Sequence, residues 1–101
     1  MNIQDHMAEF YSVDLKGKIP GNGDVEFLEA VLPGPPYQYM PFATVHYTVG
    51  CVTPETNRLD LDKGVFLDEQ GKPYYPFLQR SAPEIVRFIG KQRQERGVSI
   101  Y

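Results

Sequence analysis

Tryptophan is absent and cysteine occurs once, at Cys51. A lone thiol cannot close an internal disulfide, so the usual staple of small secreted domains is missing and a reducing, cytoplasmic setting is expected. No apolar run approaches the roughly 20 residues that a bilayer-spanning helix needs. The opening stretch Met1-Asn2-Ile3-Gln4-Asp5-His6 has neither the basic nor the apolar region of a secretory signal. Excess positive charge is also lacking. A formal net charge of −3 argues against phosphate neutralisation as a binding mode, so nucleic acid is not the expected partner.

Chemical motifs are equally sparse. Two histidines and one cysteine lack the paired spacing of zinc sites. Asp60-x-Asp62-x-Gly64 departs from a calcium loop, since Gly71 stands where the bidentate Glu would be needed. Pro20-Gly21-Asn22-Gly23 has no Lys-Ser/Thr after it and reads as a turn rather than a phosphate cradle. No metal and no cofactor is therefore expected. His46 and Cys51 are the one nucleophile–base candidate. Their odd offset on a regular strand sends the two side chains to opposite faces, so no catalytic residue is assigned and the chain leans away from being an enzyme.

What is present makes a folded chain. Hydrophobic residues at 42% and charged residues at 23% rule out the composition of a disordered segment, and 101 residues fit one domain, 1–101. In Glu9 to Lys16 the alternation of Tyr11, Val13 and Leu15 with polar residues predicts a half-buried strand. From 24 to 32 two periods compete. Asp24 can cap a helix bearing Phe27, Leu28, Val31 and Leu32 on one face, while two-residue alternation also fits, and the reading inclines to helix. Pro33, Pro35, Pro36 and Pro41, interleaved with Tyr37, Tyr39 and Met40, make an extended connector.

Ala43 to Val52 is the clearest strand, with Val45, Tyr47, Val49 and Cys51 on one face and Thr44, His46, Thr48 and Gly50 on the other. A loop is expected at Pro54 to Asn57, a short edge-like strand at Leu59 to Asp62, and a hairpin joining 65–67 to 72–75. Ser81 and Glu84 have capping-box spacing, with Pro83 in the first turn. They open a helix over about Ala82 to Arg96 whose stripe is Ile85, Phe88 and Ile89 beside Val86. The fold class expected is α+β: a small antiparallel sheet of four to five strands with the C-terminal amphipathic helix packed on one face.

Two features point to binding. Proline holds an exposed aromatic in place at small entropic cost, which makes Tyr37, Tyr39, Phe42, Tyr74 and Tyr75 candidate anchors for a protein partner. Charge is also uneven, with five Lys or Arg against eleven Asp or Glu through Gln79 and five against two from Arg80 onward. The basic helix residues Arg87, Lys91 and Arg93 join the candidate surface. The function expected is an interaction module or accessory subunit. The alternative is a small-ligand site on Thr44, His46 and Thr48, and contact with nucleic acid through the basic helix is a weaker third.

Overall fold

The computed structural model describes residues 10–21, 23–34, 40–50, 53–74 and 77–95. Among these residues five strands, β1 (Phe10–Asp14), β2 (Val25–Pro33), β3 (Phe42–Val49), β4 (Thr53–Asp60) and β5 (Val65–Leu67), precede one α-helix, α1 (Ala82–Glu95). All neighbours in the sheet are antiparallel and lie in chain order, β1-β2-β3-β4-β5. The α+β expectation is met. Consecutive hairpins need only short connections, which suits the turn-rich sequence between the strands.

The stretch inclined towards helix is β2, and the reason for the misreading is visible in its register. Phe27 pairs with Tyr47 and Glu29 with His46, so Leu28 is an extra residue, a bulge. Val25 and Phe27 are buried before it, and Ala30 and Leu32 after it. The extra residue breaks the two-residue period and puts Phe27 and Leu32 on one face, where the expected helix also placed them, while Leu28 and Val31 of that helical face are not in the core. The bulge is anchored from β1's side, where the N–H groups of Leu15 and Lys16 both donate to Leu28 O, at 2.9 and 3.2 Å.

Two further expectations are corrected. Pro54 to Asn57 is not a loop but part of β4, paired with residues 45–48 of β3. Leu59 and Asp60 belong to the same strand and lie inside the sheet rather than at its edge, because β5 pairs with Arg58, Leu59 and Asp60 on the other side. Asp60 is buried rather than solvated, and its Oδ1 accepts the N–H groups of Asp62 and Lys63 at 2.9 and 3.0 Å to shape the β4–β5 turn. The hairpin after β5 is present but brief. Gly71 takes φ +79 as its loop requires, and among the described residues the returning arm makes one bridge, Leu67 to Pro73.

One face of the sheet and the helix enclose the core, which joins Val13, Phe27, Ala30, Leu32, Val45, Tyr47, Leu59 and Phe66 to Leu78, Ala82, Ile85 and Ile89. The helix starts where Ser81 and Glu84 place it. It is entered through a 3-10 turn, Phe77–Ser81, rather than through a reciprocal side-chain cap. Tyr47 donates its phenol proton to Asn57 Oδ1, and Asn57 Nδ2 donates to Leu67 O at 3.0 Å, linking β3, β4 and β5 across the core face.

The β5 edge is closed by a side chain. Gln79 Nε2 donates to Gly64 O at 2.6 Å while Gln79 Oε1 accepts Phe66 N–H at 3.1 Å, so its amide imitates one rung of a neighbouring strand. Tyr74 N–H then donates to Phe66 O at 2.8 Å. Truncating Gln79 to Ala orphans both backbone groups beside a buried Phe66. It should cost about 1–3 kcal/mol in chemical unfolding and should raise the hydrogen-exchange rate of the Phe66 amide.

Burial, with Tyr74 and Glu55 adding to it, pushes the Tyr47 phenol up from 10.0 to about 12. The unfolded chain releases this proton at the lower value. The stability it lends is therefore complete below pH 10 and is lost as pH rises towards about 12. Urea unfolding through that interval should show wild type losing stability faster than Tyr47→Phe.

Candidate functional site

Because helix α1 covers one face of the sheet, the question is what the other face carries. Strand register arranges it in rows. Ser12, Val31, Thr44, Arg58 and Leu67 are successive cross-strand partners, and so are Asp14, Glu29, His46 and Thr56. Glu26, Thr48 and Pro54 form a third row. Phe10 and Pro33 pair at the far end of β1 and β2, and Phe42 begins β3 on the same side. The outer face thus changes along the strands from apolar at the Phe10 end to acidic at the Glu26 end.

At the apolar end lies a hollow of about 260 Å3 lined by Phe10, Val31, Pro33, Met40, Phe42, Ala43, Thr44 and Arg58. Phe10 is 66% exposed and Met40 45% exposed, high values for large apolar side chains. The Arg58 guanidinium carbon sits 5.5 Å from the centroid of the Phe42 ring, a cation–π contact. Thr44 and Arg58 also line a second hollow of about 220 Å3, whose other walls are Thr56, Asn57, Leu67, Asp68, Glu69 and Gly71. A larger open depression of about 700 Å3 lies among the turns at the opposite end, walled by 17–21, 23–26 and Gly50. Turn residues dominate that wall, and none of the described candidate residues belongs to it.

The candidate residues separate. Phe42 is half-buried in the apolar hollow, and Thr44 stands where the two hollows meet. His46 and Thr48 share Thr44's face, as the alternation predicts, but line neither hollow. Tyr74 is 36% exposed beside β5, away from Phe42. Arg87 and Lys91 are exposed on helix α1, on the opposite side of the sheet from Phe42. Tyr37, Tyr39, Tyr75 and Cys51 lie outside the described residues. The described aromatics and the basic helix therefore do not make one surface.

Arg93 needs a correction. It is only 6% exposed, and its Nη2 donates to Met40 O at 3.2 Å. The buried helical positions are Ala82, Ile85, Ile89 and Arg93, so the arginine extends the apolar stripe by one further turn. Its aliphatic stem packs inward while its head secures the backbone of a residue that lines the outer hollow. That spacing of four from Ile89 was the available sequence signal, masked by residue type. Phe10, Val31 and Arg58 were missed because a hollow assembled from four strands has no local signature.

Replacing Arg93 with Ala removes both the stem packing and the bond to Met40 O, and should lower unfolding stability by about 1–3 kcal/mol. Arg93→Met keeps the packing and should lose less. Thermal melts of the two variants check the order. No helix among the described residues is long and apolar enough to cross a membrane. No protein-family model, curated protein or solved structure matches the chain.

Proposed function

We propose that the chain is a non-enzymatic interaction module or accessory subunit whose outer sheet face receives a partner protein. The supporting observation is the apolar hollow on a sheet face that no described element covers, with Phe10 and Met40 exposed at its rim and Phe42 and Arg58 stacked in its wall. Rigid aromatics and arginine are the residue types that most often carry interface energy. Strands also position such groups more firmly than loops do. A cytoplasmic setting accords with the single thiol.

Position-specific photo-crosslinking tests this face against the helix. A benzoyl-phenylalanine placed at Phe10 or Met40 should form a discrete higher-mass adduct in cells, and one placed at Arg87 should not. Phe10→Ser with Met40→Ser should reduce the adduct formed from a probe at Thr44 by about tenfold, with thermal unfolding almost unchanged because both side chains are exposed. Adducts formed equally well from Arg87, or none from positions 10 and 40, would remove the outer face as the docking surface.

A further inference from the structure

The proposed docking face also specifies the chemistry of what it binds, an inference that rests on the docking reading above. We infer that the hollow takes an internal segment of a partner protein in which a large apolar side chain stands beside an Asp or Glu, the side chain filling the hollow and the carboxylate meeting Arg58. Three observations carry this.

The first is size and lining. At about 260 Å3, with Phe10, Val31, Pro33, Met40 and Phe42 in its wall, the hollow falls below the roughly 300–1,000 Å3 of small-molecule sites and suits a side chain. The second is charge. Among the described residues Arg58 is the one formally charged residue of that lining, and the Phe42 ring is the one partner of its guanidinium. Stacking occupies a face of the guanidinium and leaves its in-plane N–H groups for an acceptor. A carboxylate matches that planar fork better than any other side chain does.

The third is continuity. Thr44 and Arg58 belong to both hollows, so the track does not stop at the guanidinium. A chain terminus needs a closed end, whereas a passing segment needs this open one. Beyond Arg58 the second hollow is acidic. Asp68 Oδ1 is already held by the N–H groups of Gln70 and Lys72, both at 2.9 Å, and Glu69 is exposed. Along the strands the next rows bring Asp14, Glu29 and Glu26. A partner carboxylate is therefore favoured at Arg58 and disfavoured on either side of it, which sets the register of the segment.

The probes are N-acetylated, C-amidated peptides of Gly and Ser around a central Phe-Glu pair, with Phe-Gln and Phe-Lys counterparts, titrated into the isotope-labelled full chain by NMR. The Phe-Glu peptide should move the Val31, Thr44 and Arg58 amides saturably and bind about fivefold more tightly than Phe-Gln. Arg58→Gln should abolish that difference and Arg58→Lys should retain part of it. The exposed position of Arg58 keeps both variants folded, which their spectra verify directly. Equal affinity for Phe-Glu and Phe-Gln would overturn the carboxylate assignment and leave the docking face standing. Failure of every peptide to move these amides would overturn the assigned occupant, with the cross-linking result still deciding the face itself. Concentration-dependent movement of the same amides without peptide would give the hollow to a second copy of the chain and overturn the proposal.

Discussion

Side-chain parity in β2 is the constraint on which the rest of the structure depends. A strand alternates faces with every residue, so nine residues without interruption would put Val25 and Phe27 on one face and Ala30 and Leu32 on the other. The bulge at Leu28 inserts one residue and returns both pairs to the side covered by helix α1. The same insertion turns Val31 and Pro33 outward beside Phe10 and Phe42. Core and outer hollow are thus two consequences of one register shift. Two amide donors held on Leu28 O stabilise the irregularity, so the bulge is a bonded feature of the sheet.

The two sides of the sheet are joined through backbone rather than through a continuous core. Arg93 lies on the buried stripe of the helix, yet its guanidinium donates to the carbonyl of Met40, whose side chain rims the hollow on the other face. Helix docking and the shape of the hollow therefore share a residue. At the opposite edge, Gln79 and Tyr74 occupy the outward backbone groups of β5. That edge is unsuited to strand addition.

The elements that could be read ahead of the structure are those whose signal is local and uninterrupted. β3 alternates cleanly from Ala43, with Val45 and Tyr47 buried as expected, but it stops at Val49, where Gly50 turns with φ +66, rather than running to Val52; helix α1 begins at Ala82 after Ser81. Reading failed where a residue answers to a distant neighbour. Pro54 to Asn57 looks like a loop because proline and polar residues dominate, but pairing with β3 on one side and the Asn57 bond to Leu67 O on the other hold it extended. Asp60 reads as a solvated edge charge, yet two turn amides satisfy it in a buried position. Arg93 reads as a solvated cation for the same reason: charge was weighed before helical position.

The amino-acid order alone determined the fold class, the central strand, the helix with its start, and the face on which Thr44, His46 and Thr48 lie. Each of these follows from a periodicity or a capping spacing within a few consecutive residues. Tertiary structure alone decided the bulge, the burial of Arg93 and the meeting of Phe10, Val31, Phe42 and Arg58 around one hollow. Those four residues span 49 positions of chain, from Phe10 to Arg58, and come together through cross-strand register, a long-range quantity that no local pattern encodes.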